Sequence, residues 1–297
     1  MDFKPVSISD KKEYEKLLMQ GHKRGCEFTF ANLFMWGRQN IAFAHGHAAL
    51  FSLFGSKYFY PFPVGEGDTK ALVDSIIEDA EQKGIDLCFT GIYEQEKAFL
   101  ERAYPDVFSF YSSRGSYDYV YDIDDLADLA GKKYHRKRNH LNQFQKACPD
   151  YRAEPITKEL LPKVAQMAEN WYAKRLQDDP DGDYDSEKEA INKALSHYDE
   201  LGMDGMVLVC GEEVIAFTMG SMLSNDTMDV HFEKARGDIN GAYTAINYEF
   251  ARYIRVKYPM IKYLDREEDM GLEGLRKAKE SYYPHHLVEK YRAVKIK

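Results

Sequence analysis

The sequence predicts an α+β fold in which each half of the chain forms a mixed, mostly antiparallel sheet flanked by helices. Several segments place apolar residues at helical spacing, and short runs rich in β-branched and aromatic residues lie between them. The same order of elements occurs in both halves. The 297 residues, of which 44% are hydrophobic and 30% are charged, suffice for two hydrophobic cores. We therefore predict an N-terminal domain at 1–130 and a C-terminal domain at 131–297.

The elements of the first half follow from local signals. The clearest helix begins after Asp68, whose carboxylate can cap it, and ends before Gly84. Its apolar residues recur at helical spacing and share one face. The other predicted helices are 9–20 and 95–103, and the predicted strands lie within 41–65, with breaks at Gly46 and Gly55, and at 85–90 and 117–121.

The second half repeats this order. Thr157 can cap a helix in which Leu160, Val164 and Met167 follow helical spacing. The further predicted elements are strands at 206–210, 214–222, 227–233, 260–264 and 287–294, and helices at 242–257 and 272–281. Helix, three antiparallel strands, helix, strand, helix and strand is the order of the GNAT acyltransferase fold. The sequence therefore predicts two tandem GNAT-like domains.

Composition excludes several classes of protein. The net charge of −9 disfavours general binding of duplex DNA, which needs many cationic contacts. The four cysteines form no CxxC pair and show no metal-ligand spacing with the histidines, so we expect no metal site and a reducing compartment. The N-terminus lacks an apolar signal-peptide core, and no stretch approaches the roughly 18 apolar residues of a membrane span. We expect a cytoplasmic protein without a membrane span.

The segment 131–148, GKKYHRKRNHLNQFQKAC, reverses the sign of the charge locally. It carries six Lys or Arg residues and no acid in an acidic chain. Such a concentration predicts an anionic partner bound at one place. We expect the segment to form an interdomain helix from which Arg136, Arg138 and Asn139 steer that partner. The alternative is a solvated helix face without a specific ligand.

The predicted strand 227–233 carries the candidate catalytic residues. Asp229, His231 and Glu233 alternate with apolar residues, so a regular strand would place all three on one face. Adjacent titratable groups on a strand with apolar flanks are costly to bury without a purpose, and their coupling favours acid–base chemistry. We expect His231 or Glu233 to act as a base, assisted by Asp229. The alternative is an edge strand with a solvated outer face.

The run from Glu267 to Pro284, EEDMGLEGLRKAKESYYP, is a second concentration of charged residues. It resembles a signature of the family of bacterial phosphatidylglycerol lysyltransferase C-terminal domains. Earlier segments share the resemblance, namely 27–33 with Trp36, 60–65 and 131–139. The resemblance therefore spans nearly the whole chain.

The resemblance implies a tandem GNAT fold related to the Fem-type peptidoglycan aminoacyltransferases. Those enzymes move an amino acid from aminoacyl-tRNA onto an amine, whereas the lysyltransferase uses a lipid hydroxyl. It also implies that Lys279, Tyr282 and Pro284 match a Lys, an aromatic residue and a Pro that lie near substrate phosphates. Arg276 and Lys279 are three apart, so a helix would let both reach one anion. Alternatively, the two cations cap the carbonyl end of their own helix.

This sequence differs from related sequences in three ways, two of which bear on the identity of the acceptor and of the donor. Asp265 stands where family members commonly have Asn. The chain has no counterpart of the membrane-spanning half of the lysyltransferase, which disfavours a phosphatidylglycerol acceptor. The loop 236–242, RGDINGA, matches the pyrophosphate loop of CoA-dependent GNAT enzymes only in its first and last residues. This difference disfavours acetyl-CoA as the donor.

The leading hypothesis is an acyltransferase that transfers an aminoacyl group from aminoacyl-tRNA to an amine or hydroxyl of an unidentified acceptor. Arg276, Lys279 and Tyr282 bind the donor in this hypothesis, and no cofactor other than the donor is required. Two alternatives stay open. One is an acetyl-CoA-dependent N-acetyltransferase, and the other is a GNAT-fold module that binds an anionic ligand without catalysis.

Overall fold

A computed structural model describes residues 1–54, 57–180 and 182–296. The predicted break at Gly55 lies outside these residues. The chain forms two compact units: unit 1 contains Met1–Tyr119, Glu268–Lys277 and the residues from Leu287 onward, and unit 2 contains Val120–Glu267 and Ala278–His286. The sequence predicts domains separated by one boundary at residue 130, whereas both compact units draw on more than one segment of the chain.

The strands, in chain order, are β1 Lys4–Pro5, β2 Gln39–Ala44, β3 His47–Phe54, β4 Lys57–Pro61, β5 Val64–Gly65, β6 Cys88–Ile92, β7 Phe108–Ser112, β8 Asp118–Asp122, β9 Arg152–Pro155, β10 Asp204–Cys210, β11 Glu213–Met222, β12 Thr227–Ala235, β13 Tyr263–Asp265, β14 His286–Val288 and β15 Tyr291–Lys295. The predicted strands 206–210, 214–222 and 227–233 correspond to β10, β11 and β12. The single strand predicted at 287–294 is divided into β14 and β15.

The α-helices are α1 Lys11–Gln20, α2 Phe30–Trp36, α3 Thr69–Lys83, α4 Glu94–Ala103, α5 Ile123–Asp128, α6 His135–Ala147, α7 Leu161–Asp178, α8 Asp185–Ser196, α9 Tyr198–Leu201, α10 Ala242–Lys257 and α11 Glu273–Glu280. The predicted start of α3 is confirmed, because the Asp68 side chain accepts a hydrogen bond from Ala71 N. Its predicted end is confirmed by Gly84, which adopts a left-handed conformation with φ of 64°. No helix among the described residues combines the length and apolarity needed to cross a membrane.

Unit 1 is built on a sheet with the strand order β1-β2-β3-β4-β6-β15-β7, with β5 paired to β3. The β4–β6 pair is parallel, whereas β2–β3, β3–β4 and β6–β15 are antiparallel. The core between this sheet and α3 contains Tyr60, Phe89, Leu72 and Ile76, which are all fully buried. The inward-facing stripe predicted for α3 is therefore correct.

Within unit 2 the sheet runs in the order β8-β13-β12-β11-β10-β9. The pairs β10–β11 and β11–β12 are antiparallel, and β12–β13 is parallel. The parallel pairing ends at Asp229 and Asp265, although β12 continues to Ala235. The sheet therefore opens beside the second half of β12. Two mixed sheets with flanking helices confirm the α+β class.

Candidate functional site

A β-bulge on β12 changes the expected arrangement of its titratable residues. Asp229 pairs with Ser221 and Glu233 pairs with Thr218, with a register shift between them. Cross-strand partners present their side chains to the same face, and residues three apart on a regular strand face opposite ways. Glu233 therefore lies on the face opposite Asp229. The prediction that Asp229, His231 and Glu233 share one face was wrong, because the bulge adds a residue at His231.

Glu233 faces the opening beside β12. Its Oε1 accepts a hydrogen bond from Nη2 of Arg266 at 2.9 Å, and its Oε2 accepts one from Nδ2 of Asn247 at 3.3 Å. Arg266 follows directly after β13, and Asn247 lies on α10. Arg266 therefore bridges the two strands at the point where their pairing has ended.

The Tyr282 ring contacts two cations at this opening. The Lys137 ammonium lies 3.4 Å from the ring centroid and the Arg266 guanidinium 5.0 Å from it. Both separations fit cation–π contacts. The Tyr282 hydroxyl donates to Thr244 Oγ1 at 3.3 Å, and Lys137 Nζ donates to Ser281 Oγ at 2.6 Å. Tyr282, which was predicted to bind substrate, is thus a buried residue whose ring contacts the charged groups of Lys137 and Arg266.

This group of residues is electrostatically strained. Burial and, to a smaller extent, the positive charge of Arg266 lower the pKa of Lys137 to about 8 against the opposing effect of Glu233. Among the described residues, Nη1 of Arg266 and Oδ1 of Asn247 are buried without a hydrogen-bond partner. Buried polar atoms are normally paired, so these two atoms mark a place where a polar ligand or water can bind. We call Lys137, Glu233, Asn247, Arg266 and Tyr282 the α10-face cluster.

A second polar group occupies the other face of β12. His231 Nε2 lies 2.8 Å from Ser221 Oγ, and His231 Nδ1 lies 3.2 Å from Asp229 Oδ2. Glu267 Oε1 is 3.6 Å from the same ring nitrogen. Burial lowers the pKa of His231 to about 3, so the imidazole is neutral near pH 7. We call Ser221, Asp229, His231 and Glu267 the His231 cluster.

Lys279 supports the segment that joins the two clusters. Its ammonium donates to the carbonyl oxygen of Arg266 and, at 2.9 Å, to that of Glu267. Glu267 has a positive φ of 57°, a conformation that costs energy for a residue with a side chain. Lys279 is buried, and its contacts hold this turn in place. The predicted role of Lys279 in binding an anion stays a prediction.

The basic segment forms α6, and its residues have different partners. Arg138 donates through Nη1 to Gly131 O at 2.7 Å and to Leu129 O, so it caps the carbonyl end of α5. Arg136 and Asn139 are exposed. Lys137 of α6, which contacts Tyr282, was not among the predicted site residues. The local excess of positive charge could have identified it, but its partner lies far away along the chain.

Arg276 belongs to unit 1, where its guanidinium binds Asp269. The Nε and Nη2 atoms donate to Asp269 Oδ2 and Oδ1 at 2.7 and 3.1 Å. Tyr119 and the backbone N–H of Gly271 also donate to this carboxylate. The hydrogen bond from Arg276 is the main reason that the pKa of Asp269 lies well below its usual range. An anion bound by Arg276 would compete with a fully buried carboxylate.

Unit 1 contains a cluster of charged residues that no sequence pattern predicted. Lys290 is buried and donates to Glu27 at 2.6 Å and to Asp118 at 2.8 Å, and Cys26 and Glu268 complete the cluster at 3.9 and 4.0 Å. Burial lowers the pKa of Lys290, but the charge of Asp118 and its neighbours outweighs burial and raises it well above its ordinary value. The ammonium therefore stays charged. We call these residues the Lys290 cluster.

The N-terminus of α10 does not form an open cradle. A Cβ placed on Gly241 would lie 2.0 Å from the carbonyl oxygen of His140, so α6 packs closely against this end of the helix. Arg236 and Asp238 form an ion pair at 2.7 Å within the preceding loop. A carbonyl oxygen and a carboxylate beside the helix start oppose the binding of a pyrophosphate there.

Within the part of the chain that the structure describes, two sets of side chains bring potential metal-ligand atoms within 4.8 Å of one another. One set is Cys26, Glu27 and Asp118, where the Lys290 ammonium already supplies a positive charge. The other set is Asp229, His231 and Glu267. Neither set is recognisable from sequence spacing, because in each set the third residue, Asp118 or Glu267, is distant along the chain from the other two.

Comparison with known proteins identifies the fold. A solved structure of a conserved protein of unknown function from Bacteroides thetaiotaomicron is 36% identical, covers 99% of each chain and superimposes with a TM-score of 0.93. FemX is 11% identical with a TM-score of 0.63, covering 98% of this chain and 97% of its own. A tandem GNAT protein from the clavulanic acid biosynthesis pathway is 11% identical with a TM-score of 0.50, covering 99% and 98%. The predicted tandem GNAT architecture is confirmed.

An uncharacterized protein of Mycoplasmoides gallisepticum is 24% identical over 180 residues, and the match spans 59% of this chain but only 55% of that relative. The family described as "Phosphatidylglycerol lysyltransferase, C-terminal" matches residues 19–294, which include all three clusters. The chain therefore belongs to the phosphatidylglycerol lysyltransferase C-terminal family.

Proposed function

We propose that this protein is an aminoacyltransferase that uses aminoacyl-tRNA as donor and an amine or hydroxyl compound as acceptor, with its reaction site at the α10-face cluster. The main support is the group of residues at the opening beside β12. The cations Lys137 and Arg266 and the carboxylate of Glu233 lie there. Two buried polar atoms, Arg266 Nη1 and Asn247 Oδ1, have no hydrogen-bond partner among the described residues. Membership of the lysyltransferase family, over residues 19–294, supports acyl transfer.

Each group of the α10-face cluster has a role in the proposed reaction. The Lys137 and Arg266 charges, fixed by the Tyr282 ring, bind a phosphate of the donor or the oxyanion that forms at its ester carbonyl. The exposed side chain of Arg136 extends this positive region along α6, and the exposed amide of Asn139 adds a neutral hydrogen-bonding group. Arg276 contributes less, because Asp269 already binds its guanidinium.

Glu233 is the best placed group to accept a proton. It lies beside the two cations and is partly exposed, whereas His231 is enclosed on the opposite face of β12. In the proposed reaction the acceptor nitrogen or oxygen attacks the ester carbonyl carbon, and Glu233 takes its proton. The bond from that carbon to the ribose oxygen breaks, and Glu233 returns the proton to the leaving ribose oxygen. Asp229 and His231 support β12 on the face opposite Glu233.

The structure of the α10 start favours aminoacyl-tRNA over acetyl-CoA. The His140 carbonyl and the Arg236–Asp238 ion pair occupy the region where a CoA-dependent enzyme of this fold binds pyrophosphate. The positive residues of α6 instead offer contacts to a phosphate backbone. A non-catalytic module would use the same contacts for binding without turnover.

The test is incubation of the purified protein with tRNA pools charged with labelled amino acids and with a panel of amines and hydroxyl lipids. Wild-type protein is expected to transfer label, and Glu233→Gln to lose about 10²–10⁴-fold in rate, as for removal of a general base. Glu189→Gln changes an exposed carboxylate on α8 and serves as the matched control.

Three results would contradict the proposal. Retention of the charged tRNA without transfer would indicate a binding module. Acetylation of an acceptor by acetyl-CoA would indicate the alternative donor. A Glu233→Gln variant with the wild-type rate would remove the base from the α10-face cluster.

A further inference from the structure

We propose that the His231 cluster is a binding site for one divalent transition-metal ion, with Asp229, His231 and Glu267 as its ligands. The site lies on the face of β12 opposite the proposed reaction site, and its binding of metal does not depend on the proposed function. The proposed ion is Zn²⁺, because one imidazole nitrogen and two carboxylate oxygens are a ligand set that zinc accepts.

The separations of the ligand atoms fit a shared ion. His231 Nδ1 is 3.2 Å from Asp229 Oδ2 and 3.6 Å from Glu267 Oε1, and the three atoms lie within 4.8 Å of one another. Two atoms that each lie about 2.1 Å from a tetrahedral zinc ion are separated by about 3.4 Å. The observed distances to the imidazole nitrogen fall on either side of that value.

The state of His231 Nδ1 is the second observation. The imidazole is almost fully buried, with 1% of its side chain exposed, and Nδ1 has no hydrogen-bond partner among the described residues. The nearby carboxylate oxygens are therefore close to this nitrogen but away from the line of an N–H bond. Ligands of one ion have this relation, since each points at the ion rather than at its neighbour.

Ser221 fixes the tautomer that a metal ligand needs. Its Oγ lies 2.8 Å from His231 Nε2, so the N–H on Nε2 can donate to the hydroxyl. Nδ1 then carries a lone pair that faces two carboxylates. A divalent cation can accept this lone pair together with the two carboxylate oxygens. A hydrogen bond from the second ring nitrogen is the usual support of a metal-binding histidine.

The remaining surroundings allow an ion to enter and to be retained. Asp229 is fully buried, whereas 25% of the Glu267 side chain is exposed, so Glu267 lies on the route from solvent. Asp265 Oδ1 accepts from Glu267 N at 2.8 Å, and Lys279 holds the Glu267 carbonyl. Arg266 directly precedes Glu267 in the chain and donates a hydrogen bond to Glu233. An ion bound by Glu267 would therefore also restrict the position of Arg266. The ion is therefore expected to stabilise unit 2 and to position Arg266.

A serine, a histidine and an aspartate in contact also characterise hydrolytic triads. In a triad, however, Nδ1–H donates directly to the carboxylate, and that hydrogen bond is not formed here. Ser221 is also buried, whereas a nucleophilic serine must meet its substrate. These two differences favour the metal site over a triad. Labelling of Ser221 by a fluorophosphonate probe distinguishes the two.

The experiment measures Zn²⁺ binding to chelator-treated protein by calorimetry, with Co²⁺ as a spectroscopic substitute and with neither donor nor acceptor present. One equivalent of Zn²⁺ is expected to bind and to raise the thermal midpoint. Glu267→Gln is expected to lose at least about tenfold in affinity, and Ser221→Ala about 10–100-fold, as for loss of a supporting hydrogen bond. Ser221→Ala leaves all three ligands in place, so it tests the site even if Glu267→Gln folds poorly.

Cys26→Ser is the matched control, because Cys26 belongs to the other set of potential ligands. Its zinc affinity should equal that of the wild type, and the Co²⁺ spectrum should lack a sulfur-to-cobalt charge-transfer band. The proposal is overturned by any of four results: no stoichiometric binding, unchanged affinity in Glu267→Gln and Ser221→Ala, loss of binding in Cys26→Ser with a thiolate band, or labelling of Ser221 by a fluorophosphonate probe.

Discussion

The Lys290 cluster of unit 1 and the α10-face cluster of unit 2 each contain a lysine that is removed from solvent, fully for Lys290 and in part for Lys137, but the two lysines have opposite electrostatic surroundings. Lys290 contacts carboxylates at 2.6 and 2.8 Å, and their charge raises its pKa well above the ordinary value despite burial. Lys137 instead lies over an aromatic ring beside a second cation, and burial lowers its pKa to about 8.

The difference predicts a structural role for the Lys290 cluster and a ligand-binding role for the α10-face cluster. In the Lys290 cluster the positive charge is compensated from within, so an added ligand gains little. In the α10-face cluster, Nη1 of Arg266 and Oδ1 of Asn247 have no partner among the described residues, and the two cations repel each other. An anion that binds there relieves the repulsion and supplies the missing contacts. The comparison can be tested by changing each lysine in turn.

The largest effect is expected for Lys290→Met. The change removes the charge that compensates Asp118 and Glu27, and breaking a buried ion pair costs about 3–5 kcal/mol of unfolding free energy. Urea unfolding measures this loss. Lys277→Met, which removes an exposed pair with Glu273 in the same unit, should change the unfolding free energy by less than about 1 kcal/mol. Equal losses in the two variants would show that the Lys290 cluster is not structural.

The next effect is expected for Lys137→Met, which should leave the unfolding free energy nearly unchanged but weaken binding of tRNA about tenfold or more. The reason is that the lost charge faces a ligand rather than an internal carboxylate. Filter binding at several salt concentrations measures the affinity. The slope of log affinity against log salt concentration should decrease by about 1, as for the loss of one phosphate contact. Lys146→Met, an exposed change on the same helix, is the control. Equal weakening by both variants would argue for a diffuse basic surface.

A smaller effect is expected from pH. Because the pKa of Lys137 is lowered to about 8, its ammonium is present below that pH and is lost as the pH rises through it, whereas an unburied lysine stays charged. The groups facing it are Arg266, Arg136 and Glu233. Affinity for tRNA should therefore fall between about pH 7 and 9. Lys137→Arg keeps its charge throughout this range, so an identical pH profile in this variant would assign the decrease to another group.

The smallest effect on ligand affinity is expected for Arg276→Ala. Its guanidinium binds Asp269, and the pKa of that carboxyl is lowered in the folded state, so the interaction stabilises the protein above the unfolded pKa and is lost as the pH falls. The variant should therefore be less stable near pH 7 and approach wild type in acid, with an unchanged affinity for tRNA. A large loss of affinity instead would restore Arg276 to the binding site that the sequence suggested.

Local patterns were sufficient for much of the fold. The cap at Asp68, the end of α3 at Gly84 and the strands β10, β11 and β12 follow from neighbouring residues alone. The candidate site could be predicted only in part from the sequence. The basic segment and the C-terminal run were identified, but Lys137 was missed because its partner Tyr282 is supplied by the other end of unit 2.

The sequence by itself determined the α+β class, the tandem order of elements and the residue types available for chemistry, because helical and strand periodicity and charge density are properties of short segments. Only the tertiary structure decided which of these residues meet. The register of β12 against β11 placed a bulge at His231 and moved Glu233 to the face opposite Asp229. The turn after β13 then brought Arg266 to Glu233 and Glu267 to His231. Register and long-range contacts depend on the packing of whole strands, which no short segment encodes.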